Sequence, residues 1–390
     1  MKTAYITIGI FVLTLLVILS APCECLAGCD ANFDHGCDVD GSDLAVLARD
    51  VGREDCDTGV PCRTDIFPAG APDGQVDFHD IALFSESFGQ TDCPLNPPEN
   101  LYNIGDSIGE AEAANNDIGK FHHESVWSTG YDLFDGVQSL NERFKETDPL
   151  RYLENTADRD NIFNQAVTGS EMADFATQAS LVVLEAGESV QEKAGIVTFL
   201  LGSNDVCAPD LATMTDPDLF EAQYRAGLDI LAASPATRHA YIHVSSIPAI
   251  YWLWNAKRTK LLCRWLIWPN VPCQNLLANP SNDCGSNDSH LDPDTIHGDD
   301  DSNCQRRKQF HAAIRDIYNP ILKNVLMEYK TDGRLPHAYY VDIFDVRFDD
   351  KHVNSGDCFH PSFEGQDLLS KEHWERSPWG MEEPYTLLQD

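Results

Sequence analysis

The sequence predicts an α/β protein in which a three-layer α/β/α sandwich on a mainly parallel sheet follows a small helical module built as a tandem loop and helix repeat. Three observations carry this. From about residue 99 onward, short apolar β-branched runs alternate with longer amphipathic stretches, the pattern of strands buried on both faces by crossover helices. Between Cys29 and Cys93 the chain repeats itself. Pro94-Leu95-Asn96-Pro97-Pro98 stands between the two regions, and prolines fix φ and turn their neighbours away from helix, which makes a stiff linker. The expected organisation is a leader over 1–28, a repeat module over 29–93, a linker over 94–98, an α/β domain over 99–375 and a C-terminal tail over 376–390.

A length of 390 residues suits about two domains. The 27 Lys+Arg against 63 Asp+Glu give a net charge of −36, which repels phosphate backbones and anionic membrane surfaces and excludes nucleic acid as a partner. A hydrophobic content of 43% with 18 Phe, 12 Tyr and 7 Trp is ample core material and excludes global disorder.

The chain begins MKTAYITIGIFVLTLLVILSAP, one cation followed by an apolar run too short to span a bilayer cleanly, which reads as a secretory signal. The expected location is therefore extracytoplasmic. Leu26-Ala27-Gly28-Cys29 resembles a bacterial lipobox, in which Cys29 becomes a lipidated anchor. Of 13 cysteines, Cys23 and Cys25 leave with the signal and lipidation would use Cys29, so 13 − 2 − 1 leaves an even ten for disulfides in an oxidising compartment. The repeat allows a second use of Cys29: pairs Cys29–Cys56 and Cys62–Cys93, with Cys37 left over. The two uses exclude each other, and the sequence leaves both open.

In the repeat, Val39 and Val76 each precede the closing Cys by 17 residues, and the copies end in Gly-Arg-Glu-Asp-Cys and Gly-Gln-Thr-Asp-Cys. Leu44, Leu47, Val51 and Ile81, Phe84, Phe88 recur at i, i+3, i+7, so each polar loop leads into an amphipathic helix. A hard cation such as calcium needs oxygens at alternate loop positions and a carboxylate at the twelfth. Those positions hold Asn32, Asp34, Gly36, the Asp38 carbonyl, Asp40 and Asp43 in the first copy, with Asp30 within reach. In the second they hold Ala69, Ala71, Asp73, the Gln75 carbonyl, Asp77 and Asp80, with Gly74 at the turn. The arrangement resembles the tandem calcium-loop module of dockerins, which implies an EF-hand-like fold and a protein partner. Cys37 replaces the turn glycine of the first loop, and the second loop lacks its first two ligands; a solvated acidic turn stapled by disulfides is the competing reading.

In the α/β region, Leu101 to Ile104, Val197 to Leu201, Ala240 to Val244 and Ala338 to Ile343 read as buried strands. Met172 to Glu192, Asp218 to Ala233 and Gln305 to Tyr329 read as helices. Chemistry collects where strands end. Gly105-Asp106-Ser107-Ile108-Gly109 places a hydroxyl in a glycine-flanked turn, and three further pieces follow in order: Asn164-Gln165-Ala166-Val167-Thr168-Gly169, Gly202-Ser203-Asn204-Asp205 and Asp357-Cys358-Phe359-His360. Singly, each fits a bland role, Ser107 closing a turn, Asn204 capping a helix, His360 idle in a loop.

Together the four blocks resemble those of the SGNH, or GDSL-type, hydrolases, over roughly residues 99 to 375. The resemblance implies a flavodoxin-like sandwich and an ester hydrolase needing no cofactor for catalysis. Ser107 would be the nucleophile, His360 the general base and Asp357 its orienting carboxylate. The Ser107 and Gly169 N–H groups and the Asn204 amide would form the oxyanion hole. Asp106 reads as structural, His122 and His123 as solvent-facing, and the run DPDTIHGDDD from Asp292 as an acidic surface loop, with a second cation as its alternative. The segment from Asp205 to Cys304 carries four Trp and five Cys. Together with Ser245-Ser246-Ile247-Pro248 it is similar to lipid-acting members, which implies a lipase or phospholipase-like esterase acting on a lipid or small ester. A carbohydrate esterase deacetylating polysaccharide, favoured by the dockerin resemblance, and a non-catalytic calcium-dependent adhesion protein are the alternatives.

Overall fold

The structure, a computed structural model, describes residues 41–56, 64–67, 73–89, 100–147, 163–188, 195–277 and 288–381, with the single positions 31, 33, 39, 62, 98 and 284. The leader, Cys29, Cys37, Cys93 and the first-loop positions Asn32, Asp34, Asp38 and Asp40 lie outside the described residues. The chain divides into two compact units, Met1–Leu95 and Asn96–Asp390. No described helix is long and apolar enough to cross a membrane.

The first unit carries helix α1 (Gly41–Asp50) and helix α2 (Phe78–Ser87). Asp77 starts α2 by accepting the His79 N–H at 2.7 Å, while Asp80 accepts the Asp77 N–H at 2.8 Å, a reciprocal cap that satisfies otherwise unpaired amides. The repeat is also reciprocal in space: Gly52 N–H donates to the Val76 carbonyl and Gly89 N–H to the Val39 carbonyl, both at 2.8 Å. Only Leu47 and Phe84 of the two expected apolar faces turn inward, packing with Phe33, Val39 and Val76; Leu44, Val51, Ile81 and Phe88 are exposed. A two-helix unit has one interior line, which a single residue per helix fills. Cys56 pairs with Cys62, which corrects the Cys29–Cys56 and Cys62–Cys93 pairing. The copies are already joined by the backbone exchange, and the disulfide closes the short connection between them instead.

The loop-closing carboxylates are held by amides. Asp43 Oδ1 accepts the Phe33 N–H at 2.6 Å; Asp80 accepts those of Ile66, Phe67 and Asp77. Asp65, which sequence spacing did not single out, accepts the N–H groups of Asp73 and Gly74, so the second loop closes from four residues before Ala69. Burial pushes the Asp65 carboxyl up, against those two bonds and with the help of the Asp80 and Asp73 charges.

In the second unit the elements in order are β1 (Leu101–Gly105), α3 (Leu140–Thr147), α4 (Phe175–Glu188), β2 (Ile196–Leu200), α5 (Pro217–Ala233), β3 (Tyr241–Ser245), α6 (Ile250–Lys257), α7 (Ser302–Ala313), α8 (Asn319–Thr331), β4 (Ala338–Val341) and α9 (Phe363–Glu375). The strands form a parallel sheet in the order β1-β2-β3-β4, with Gly105 opposite Leu200. The expected helix over 305–329 is interrupted by a π-turn at Ile314–Tyr318, after which Pro320 opens α8. α3, α6 and α9 were not anticipated; their apolar spacing is masked by local charge or by continuous aromatics.

Alternate strand residues face opposite layers. Tyr102, Ile104, Val197, Phe199, Ile242 and Val244 pack with Phe175 of α4, Tyr224 of α5 and Leu322 of α8. The other face carries a buried polar network: His243 bonds Tyr339 at 2.8 Å and His373 of α9 at 2.7 Å, and Trp127 stacks on His373 at 4.2 Å. Both histidines are pushed down by burial, His243 to about 3, so the network is held neutral. Packing continues past the expected domain end at residue 375: the Trp379 ring meets Phe144 and Tyr241.

The segment between β3 and α7 is stapled by Cys207–Cys273, Cys263–Cys358 and Cys284–Cys304. The acidic run is not a plain surface loop. Asp300 is buried against the Lys308 ammonium at 2.9 Å, so the cation it meets is the protein's own, while Asp301 caps α7.

Candidate active site

Ser107 follows the end of β1 and is almost fully buried. Its turn is fixed from three sides. Gln178 of α4 accepts the Gly105 N–H and donates to the Gly105 carbonyl, each at 2.9 Å. Asn164 donates to the Gly109 carbonyl at 2.7 Å and accepts from Asn103. Ala166 presses on Gly109 so closely that a Cβ there would stand 2.7 Å from its own. The Asn-x-Ala spacing is thus a clamp on the serine turn, and Gly109 is the residue that fits beneath it.

Asp106 gives one oxygen to the Ile108 N–H at 2.9 Å, as its structural reading expects. Its Oδ2 is buried and finds no hydrogen-bond partner among the described residues. Burial, with the Asp205 charge, pushes its carboxyl up to about 6 against the Ile108 bond and the attraction of His360. Asp205 is likewise pushed up to about 6 by burial, with one oxygen accepting the Met172 N–H at 2.7 Å.

His360 lies on the loop closed by an antiparallel bridge, Val353 to Pro361, just before the Ser362 cap of α9. Its Nδ1 meets Asp357 Oδ2 at 2.7 Å, and the other Asp357 oxygen accepts the N–H groups of Phe359 and His360. The residue between them, Cys358, holds a left-handed φ of +55°, uncommon for a side chain with a Cβ. Two contacts from the stapled segment hold it there: the disulfide to Cys263 and the Trp268 indole N–H on its carbonyl at 2.8 Å. Burial alone would push the His360 imidazolium down. The Asp357 bond and the charges of Asp357, Glu112 and Asp106 outweigh it and hold His360 above its ordinary value. On the Nε2 side, Glu112 Oε2 lies at 3.6 Å.

Ser107, Asn204 and His360 line one pocket whose wall is largely apolar, with Ile250 and Leu253 of α6, Phe348, Val353 and Phe359. Asn204 sits in a single helical turn, Ser203–Val206, after Gly202, and its Nδ2 donates to the Ser170 carbonyl at 2.9 Å, leaving that nitrogen a second hydrogen. Gly169 lies exposed beside this group and does not line the pocket. Its glycine is favoured by the left-handed φ of +79° and not by a lack of room, since a Cβ would meet nothing within 4 Å. An imidazole held at Nδ1 by a carboxylate can accept a proton at Nε2, and this one lines the same pocket as the buried Ser107.

Of the other residues singled out, His122 is clamped, not solvent-facing. It bonds Asp117 at 2.8 Å and Glu124 at 3.1 Å, and these carboxylates raise its pKa against the effect of burial. His123 faces Glu110 at 3.4 Å. Trp254 and Trp268 are core, Trp252 nearly so, and Trp265 is exposed. Sequence reasoning missed Gln178 and Glu112, which carry no motif, and the cap contacts of Cys263 and Trp268, visible only as a Cys- and Trp-rich composition.

No curated protein matches the chain. Residues 101–372 match the family model described as GDSL-like Lipase/Acylhydrolase, a span running from the first residue of β1 into α9 and taking in the serine turn, the Asn204 turn and the His360 loop. The chain therefore belongs to the GDSL-like lipase/acylhydrolase family of ester hydrolases.

Proposed function

We propose that this protein is an exported lipase or phospholipase-like esterase working through Ser107, His360 and Asp357. Ser107 Oγ attacks the acyl carbon while His360 Nε2 takes its proton; the imidazolium then protonates the departing alcohol oxygen as the ester C–O bond breaks. Water, deprotonated by the same imidazole, attacks the acyl-serine and releases the acid, returning the proton to Ser107. The N–H of Ser107 and the second Asn204 amide hydrogen, both in the pocket lining, receive the oxyanion; Gly169, outside that lining, takes no part in this reading. The observation that carries the substrate class is the apolar wall of Ile250, Leu253, Phe348, Val353 and Phe359 next to Ser107, which suits an acyl chain; a sugar site needs convergent polar groups. Three disulfides in this unit fit an oxidising compartment.

Purified protein assayed on p-nitrophenyl esters of increasing acyl length, a phospholipid and acetylated xylan tests this. Each added methylene should raise kcat/KM by up to about fourfold, the equivalent of about 0.8 kcal/mol per buried CH₂, until the pocket is full. Preference for acetylated xylan would replace this reading with a carbohydrate esterase, and inactivity on every ester with a binding protein.

For the N-terminal unit we infer calcium at the first loop, held by Asn32, Asp34, the Asp38 carbonyl, Asp40 and Asp43. The second set, Asp73, Gln75, Asp77 and Asp80, fits a cation less well, because Asp80 already serves three amides and Asp77 caps α2. The exposed pairs Leu44/Val51 and Ile81/Phe88, repeated on both helices, support a docking role toward a protein partner. Calcium a hundredfold above its Kd should stabilise the unit by about 2.7 kcal/mol, read as a melting transition that falls on chelation and no longer responds in Asp43→Ala. A titration showing no heat at millimolar calcium, with an unchanged transition, would remove calcium from the account.

A further inference from the structure

After α6 the chain winds through residues 261 and 262 into a π-turn, Cys263–Ile267. Cys263 and Trp268 point inward, bonded to Cys358 beside His360. The outward face is the apolar one: Leu261 is 71% exposed, Leu262 55%, Trp265 55% and Leu266 65%. Soluble proteins seldom present large apolar side chains contiguously without a partner. The charge of the surrounding sequence is also unlike the rest of the chain. Between Asp229 and Asp283 there is no carboxylate side chain, but there are Arg238, Lys257, Arg258, Lys260 and Arg264. Asp350 takes Lys257 and Lys260 together. Leucine and tryptophan flanked by Arg and Lys is the chemistry that settles at a phospholipid interface, apolar groups among acyl chains and cations at phosphates. The chain-wide charge of −36 acts weakly here, because it is screened beyond about 8 Å at physiological ionic strength.

We propose that the face formed by Leu261, Leu262, Trp265 and Leu266 docks the enzyme on a phospholipid surface and so presents the pocket to aggregated substrate. The placement follows from the covalent tie: α6 supplies Ile250 and Leu253 to the pocket wall, and its continuation is bonded to the catalytic loop. This rests on the esterase reading and deepens it.

The test uses the full-length protein with vesicles of phosphatidylcholine alone or mixed in equal parts with phosphatidylglycerol, and p-nitrophenyl butyrate as a dissolved substrate. The double substitution Trp265→Ser/Leu266→Ser should reduce vesicle partitioning at least about tenfold with hydrolysis of the dissolved ester unchanged. Unchanged partitioning in the double variant, or a parent that does not bind vesicles yet hydrolyses the dissolved ester, overturns the docking face and leaves the esterase standing. A parent that sediments as a dimer and a double variant that sediments as a monomer would assign the face to a second copy and overturn it as well. Inactivity of the parent on the dissolved ester would instead strike the esterase reading beneath it.

Discussion

Replacing Ser107 with alanine is expected to lower ester hydrolysis by on the order of a millionfold, the scale seen when the nucleophile of a serine hydrolase triad is removed. The protein should remain folded. The turn is held by Gln178 on Gly105, by Asn164 on Gly109 and by Asp106 on the Ile108 N–H, and the Ser107 hydroxyl is no part of those bonds. A serine-directed fluorophosphonate should label the parent at Ser107 and leave the variant unlabelled. Persistent hydrolysis by a folded Ser107→Ala protein would end the assignment.

Asp357→Asn should lower kcat by roughly ten-thousandfold, as loss of the orienting carboxylate does elsewhere by favouring the wrong imidazole tautomer. The pH profile separates this from a structural defect. In the proposed mechanism His360 must be neutral to take the Ser107 proton, and its imidazolium is held above its ordinary value by the Asp357 bond and by the charges of Asp357, Glu112 and Asp106, against burial. The acid limb of kcat/KM in the parent should therefore lie above pH about 6.5, activity rising as pH increases through it. The bond to the Asp357 carboxylate and its charge are the two largest raising contributions, so the residual activity of Asp357→Asn should begin at lower pH. An acid limb at or below pH about 6 in the parent would contradict the surroundings found for His360.

The sequence by itself determined the alternation of strands and helices, because buried parallel strands must be continuously apolar: the four expected strands over 101–104, 197–201, 240–244 and 338–343 coincide with β1 to β4 to within two residues. It also determined the four blocks of the hydrolase and the tandem repeat, whose register depends only on spacing. What it could not determine are properties of residues distant in sequence. The Cys56–Cys62 pair and the inward turn of Leu47 and Phe84 alone follow from how two short helices exchange backbone bonds through Gly52 and Gly89. Gln178 and Asn164 acquire their roles only when the parallel sheet brings α4 and residue 164 against the end of β1. The left-handed Cys358, on which the placing of His360 over Asp357 depends, is fixed by Cys263 and Trp268 some 90 residues earlier in the chain. Local pattern encodes burial and turn chemistry, whereas the site is set by long-range contacts that exist only once the sheet and its stapled cap have formed.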